Sequence, residues 1–119
     1  MSLTINLPWP SPVLSPNSRP HWAKRAAAVK TARQTAWAAT LETGVLKLSA
    51  PIPIHVTTTF FPPDRRAYDE DNLKARMKAS YDGISDAIGV DDKHFRHSPV
   101  EIGQPVKGGS VRIEIREAA

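Results

Sequence analysis

The chain has 119 residues, 40% hydrophobic and 24% charged, the size and composition of a single globular domain, 1–119, with one modest core. It has no cysteine, which excludes disulfides and thiolate metal centres and gives no sign of an oxidising compartment. Sixteen Lys and Arg stand against twelve Asp and Glu; no apolar run approaches a membrane span, and the opening Met1–Leu7 lacks the charged start of a signal peptide, so the expected location is the cytoplasm, away from any membrane.

Leu3-Thr4-Ile5-Asn6-Leu7 alternates apolar and polar residues, the pattern of a half-buried strand. Pro8, Pro10, Pro12 and Pro16 then forbid regular structure up to about Pro20. So long a loop in a small domain is often functional. It closes with Asn17-Ser18-Arg19-Pro20-His21-Trp22, where an ordinary surface loop would use Asn or Ser as a helix cap. From Trp22 to about Leu41 the chain is rich in Ala, Lys, Arg and Gln without Gly or Pro, which predicts a helix stopped near Gly44. Trp22, Ala26, Val29, Ala36 and Trp37 supply its apolar side. Lys24, Arg25, Lys30 and Arg33 spread over the remainder, either as a solvated face or along a phosphate backbone.

Ile52 to Phe61 alternates with high β-branched content and predicts a strand ended by Pro62-Pro63. A second helix is expected from about Glu70 to Ile88. Leu73, Met77, Tyr81, Ile84 and Ile88 repeat at helical period and form its core stripe. Asp71, Lys78 and Asp82 form a polar ridge roughly 120° from that stripe, with Lys74 between the two. Gly83 weakens this helix slightly and Gly89 ends it. His94 to Gln104 forms a strand interrupted by Pro99. Lys107-Gly108-Gly109-Ser110 marks a turn, and Val111, Ile113 and Ile115 alternate with charged residues. The last two strands are expected to pair as a hairpin. The order β-α-β-α-β-β describes an α/β (α+β) fold, a small mixed sheet with two main helices.

The charge distribution carries the functional signal. Eight acids, Asp64, Asp69, Glu70, Asp71, Asp82, Asp86, Asp91 and Asp92, gather in one stretch, whereas residues 1–63 hold only Glu42. Clustered carboxylates in a cationic chain suit a hard divalent ion held against a phosphate-rich partner. A straight helix would separate Asp69 and Asp71 from Asp91 and Asp92 by roughly 25–30 Å. Either the loop after Gly89 folds back, the helix breaks near Gly83, or a partner chain contributes. Ordinary roles compete: Asp69, Glu70 and Asp71 suit a helix N-terminus, and Asp91-Asp92 suits a turn. An EF-hand loop is a poor fit, because Leu73 and Lys74 stand where Asp or Asn and Gly are required. His21, His94 and His97 match no standard metal spacing. Asp69 and Asp71 followed by Asn72, with Lys74 and Lys78 on the adjoining helix and Arg65-Arg66 upstream, are the parts of a metal-dependent phosphodiesterase.

The series Pro63 to Leu73, then Lys78, Asp82-Gly83-Ile84 and Val90-Asp91-Asp92, resembles the RusA family of Holliday-junction resolvases. Leu7-Pro8-Trp9-Pro10, Asn17-Ser18-Arg19 and Lys107-Gly108-Gly109 extend the likeness over nearly the whole chain. The resemblance implies a RusA-like domain and a homodimeric endonuclease that nicks four-way DNA junctions symmetrically with Mg2+ or Mn2+. Asp69, Asp71 and Asp92 match the family's essential acids, and Asp91 a neighbouring one. Lys78 matches the family's helix lysine because it stands four residues before Asp82. Its spacing from Asp71 is about one turn longer than in the best-known member, which keeps Lys74 as an alternative. Asn17, Arg19, Arg65, Arg66, Lys74, Arg76 and Lys93 are the expected DNA contacts. A junction-binding protein with an inactive site, or a nuclease for other branched DNA, are the alternatives.

Overall fold

The computed structural model describes residues 2–45 and 53–117. A mixed sheet carries helices on one face. Its strands are β1 (Ser2–Pro8), β2 (Ile54–Phe61), β3 (Phe95–His97), β4 (Glu101–Ile102) and β5 (Ser110–Glu117). The helices are α1 (Trp22–Glu42), α2 (Glu70–Ala75) and α3 (Lys78–Ile88). Ile52, expected at the start of the second strand, lies outside the described residues.

The strand order is β1-β5-β2-β3, with β4 also against β2. β5 runs antiparallel to both β1 and β2, whereas β3 and β4 run parallel to β2. The expected C-terminal hairpin is therefore absent: the last strand lies between the first two. Its alternation is the reason such a placement is stable. Val111, Ile113 and Ile115 are buried on one face, and both edges of the strand find backbone partners. Ile5 and Leu7 flank them on one side, and Val56, Thr58 and Phe60 on the other. The interruption at Pro99 is as expected, since it separates β3 from β4 on one edge of β2.

The loop after β1 is not wholly irregular, since Pro12–Leu14 forms a 3-10 turn. Helix α1 starts where the composition predicts, but its cap is His21, whose Nδ1 accepts the Ala23 N–H at 3.2 Å. Its buried side agrees with the expectation at Ala36 but not at the bulky residues. Ala36 and Thr40 are buried, while Trp22, Val29 and Trp37 face outward. The reason lies at Gly83. A Cβ there would collide with the Arg33 carbonyl oxygen and stand 3.1 Å from Ala36 Cβ. The helices approach so closely that only small side chains fit between them, and the bulky residues of α1 are turned out. Gly83 is therefore a packing requirement and not merely a local weakness.

The helix expected over 70–88 is two helices. Arg76 and Met77 turn out of it, with ψ of −15° and −3°. The Met77 N–H bonds the Lys74 carbonyl at 3.0 Å, one residue nearer than an α-helix requires. The Arg76 guanidinium is drawn aside to Asn72 Oδ1 at 3.0 Å and the Pro10 carbonyl at 3.4 Å. The core stripe survives the break: Leu73, Met77, Tyr81, Ile84 and Ile88 are all buried. Among the described residues no helix is long and apolar enough to cross a membrane.

Gly83→Ala is expected to lose more than about 2 kcal/mol in urea denaturation, because a backbone carbonyl cannot move aside for the new methyl. Ala26→Ser, on the outward face of α1, is expected to stay within about 0.5 kcal/mol.

Candidate functional site

The chain after α3 closes the gap that a straight helix would leave. Gly89 takes φ +74°, a left-handed value that a glycine adopts without strain, and ends the helix. Ser85 Oγ donates to the Val90 carbonyl at 2.6 Å, and Val90 is buried. Asp91 Oδ1 accepts the Lys93 N–H at 3.0 Å and caps a 3-10 turn over Asp92–His94. Three extended residues span about 10 Å, and α3 is about 16 Å long, so the side chains of Lys78 and Asp92 cover the remainder. Lys78 Nζ lies 2.9 Å from Asp92 Oδ2 and 2.8 Å from Asp82 Oδ1. The loop after Gly89 thus folds back within one chain to bring Asp92 to Lys78, and the helix break is at Arg76–Met77 and not at Gly83.

The resulting cleft, of ≈ 400 Å³, is lined by Asp71, Lys74, Lys78, Tyr81, Asp92 and His97, with Ala75. Its volume admits a phosphodiester with several waters, at about 30 Å³ per water. Tyr81 is fixed by a 2.6 Å hydrogen bond with Thr58 of β2, and burial holds its hydroxyl above its ordinary pKa, with the Thr58 bond opposing. The hydrogen bond to Asp82, then that to Asp92, raises the Lys78 pKa. The hydrogen bond from Lys78 is the chief cause that holds the Asp92 carboxyl below its usual range. His97 is exposed over much of its surface, but its ring lies 4.6 Å from that of Tyr81. This partial burial, then the charge of Lys74, lowers its pKa, against the pull of Asp92.

Asp69 and Asp71 do not share the cleft. Residues two apart at a helix start point about 200° apart, so one of them must face elsewhere. Asp69 caps α2, accepting the Asn72 N–H at 3.1 Å, and lines a separate groove with Trp9, Arg66 and Tyr68. Asn72 is structural: its amide donates to Ser15 Oγ at 2.7 Å and pins the proline-rich loop to α2. Of the expected DNA contacts, Lys74 lies in the cleft. Arg19, Arg65 and Lys93 are exposed elsewhere, as is Asn17, whose N–H donates to Ser15 Oγ. Arg66 is engaged by Asp64 and Tyr68, each at 3.2 Å, and Arg76 by the loop contacts above. Sequence reasoning gives His97 and Tyr81 no place at the site. His97 carries no positional signal, and Tyr81 reads only as core.

Among the described residues no group of three or more His, Cys, Asp or Glu side chains could hold a metal ion, and His21, His94 and His97 form none. The donor chemistry nonetheless fits Mg2+ or Mn2+. Asp71 and Asp92 present hard oxygens to one cleft, and Mg2+ is commonly held by one or two carboxylates while keeping positions for water and phosphate. A pocket of ≈ 340 Å³ between the Trp9 loop and α1 has no titratable lining and offers no such chemistry.

No protein-family model matches the chain. A protein of Xylella fastidiosa (strain Temecula1 / ATCC 700964), named uncharacterized protein, is 41% identical over 114 residues, covering 94% of this chain and 74% of that protein.

Lys78→Met is expected to raise the Asp92 pKa toward its ordinary 3.8 in a carboxyl 13C NMR titration, because the dominant hydrogen bond is lost. A depressed carboxyl pKa stabilises the fold above its ordinary value and loses that contribution as pH falls through the folded value, so the variant's stability should depend less on pH below about 4.

Proposed function

We propose that this chain, which belongs to the same family as the Xylella fastidiosa protein, is a metal-dependent endodeoxyribonuclease of the RusA kind. In this reading it acts in the cytoplasm, as a homodimer, on four-way DNA junctions, and its element order is a RusA-like arrangement. The observation that carries the reading is the cleft itself. Asp71 and Asp92, distant in sequence, face one space in which Lys78 is bonded to Asp92. That combination suits phosphodiester hydrolysis better than helix capping, because neither carboxylate is the cap of its element.

Asp71 and Asp92 would hold the cation. A bound Mg2+ or Mn2+ supplies charge neutralisation at the phosphate and lowers the pKa of coordinated water. Lys78, held by Asp82 and Asp92, offers a fixed positive charge toward a phosphate oxygen or the leaving oxygen. Lys74 adds a second, exposed charge for the backbone on the same wall. His97 and the buried Tyr81 complete the wall. This assigns the active-site lysine to Lys78 and leaves Lys74 as a phosphate contact.

A second reading has one observation in its favour. With Asp69 and Asp91 used as caps, no third acid joins the pair among the described residues, as an inactive junction-binding protein would allow. A nicking assay on a four-way junction with and without Mg2+ separates the two. Asp71→Asn and Asp92→Asn are each expected to bind the junction in EDTA like the unmodified chain. Each should nick more than about 100-fold more slowly in Mg2+, exceeding the effect of losing an outer-shell partner. Unchanged nicking by Asp71→Asn would sink the assignment. Flap and duplex substrates in parallel report whether junctions are preferred.

A further inference from the structure

Helix α1 exposes what a helix of this length normally buries. Trp22 is 77% exposed and Trp37 45%, and Val29 and Leu41 are exposed as well. At 100° per residue, Trp22, Ala26, Val29, Arg33 and Trp37 fall within about 80° of arc, with Lys30 and Leu41 along one border. The helix carries Lys24, Arg25, Lys30 and Arg33 against one acid, Glu42, at its end. Arg25 is turned inward, donating to the carbonyls of Ser15 and Ser18. Arg33 holds Asp86 of α3 through two bonds, at 2.7 and 2.9 Å. Lys30, Arg33, Gln34 and Trp37 then flank a groove beside Asp86.

Large aromatic rings beside Lys30 and beside an Arg33 whose charge is shared with Asp86 leave a face of net positive charge, complementary to a polyanion that has flat apolar faces. Unpaired nucleic acid is such a partner, because its bases stack on aromatic side chains while its phosphates meet Lys and Arg. A paired duplex would hide those base faces. A second copy of the chain fits less well, because isologous contact would bring Lys30 against its own image. The two tryptophans are about 22 Å apart along the helix axis, with Lys30 midway between them, a span that takes several nucleotides.

We propose that the outward face of α1 binds an unpaired DNA strand, its bases stacked on Trp22 and Trp37 and its phosphates against Lys30 and Arg33. Arg33 is paired with Asp86 of α3, the helix that also carries Lys78 and Asp82. The proposal rests on the nuclease reading only in taking DNA as the partner, and it does not need the cleft to be catalytic.

The test uses the full chain and a fluorescein-labelled twelve-residue oligothymidylate in EDTA at low salt, read by anisotropy and by quenching of tryptophan fluorescence. Trp22→Ala and Trp37→Ala are each expected to weaken binding by about fivefold or more, and Trp37→Phe by less, because it keeps a ring. Lys30→Ala should reduce the slope of log affinity against log salt by about 0.7. Loss of affinity in the tryptophan variants together with no nicking in the junction assay would refute the cleft reading and uphold this one. Unchanged affinity in both alanine variants overturns the proposal. So does an unchanged affinity accompanied by a shift in sedimentation, which would make α1 a contact between copies.

Discussion

The ammonium group of Lys78 stands between two carboxylates, 2.8 Å from Asp82 and 2.9 Å from Asp92. The first contact joins neighbours on one helix face. The second joins the start of α3 to a loop that begins at its far end. An exposed ion pair is worth only about 0–1 kcal/mol, so it cannot by itself hold that loop in place. The loop is held chiefly by the buried Val90 side chain, the Ser85–Val90 hydrogen bond, the left-handed turn at Gly89 and the Asp91 cap. These fix the path of the chain, and the ion pair then sets the charge of the cleft. The division matters for chemistry. A group positioned by packing can exchange its ionic partner, for instance for a phosphate, without the loop being lost.

The rest of the fold serves the same placement. Tyr81 ties α3 to β2 through Thr58, and Gly83 lets α1 press against the opposite side of α3. Asn72 and Arg76 bond the loop after β1, so α2 cannot swing independently of the sheet edge. The break at Arg76–Met77 is the product of those bonds and of the tight turn at Met77. It allows α2 to present Asp71 toward the same space that α3 presents Lys78. Much of the acidic stretch thereby serves architecture, as the caps at Asp69 and Asp91 and the ion pairs of Asp82 and Asp86 show.

Much of this is legible from local pattern. The strands at Leu3–Leu7 and Val111–Ile115 and the stripe from Leu73 to Ile88 follow from alternation or helical period and bury their apolar positions as the pattern requires, and the start of α1 follows from composition. What is not legible depends on contacts between distant segments. No local signal tells that β5 will insert between β1 and β2, because a half-exposed strand looks the same beside any partner. Hydrophobic size points to the wrong face of α1, because close approach at Gly83 selects small residues instead. At the site, Lys78 and Asp82 are readable as one helical ridge, and the return of Asp92 is one of several open possibilities. The separation of Asp69 from Asp71 follows from helix geometry, although a repeated carboxylate reads as a pair.

The central claim is that a single chain brings Asp71 and Asp92 to one cation-binding cleft. Paramagnetic broadening by substoichiometric Mn2+ in a 1H–15N NMR spectrum tests it without reference to any activity. The amide signals of Asp71, Lys74, Lys78, Asp92 and His97 are expected to broaden first and together, and Asp92→Asn to weaken the effect at Asp71. Broadening centred on Asp64 to Asp69, or broadening at Asp71 that is indifferent to Asp92→Asn, would contradict it.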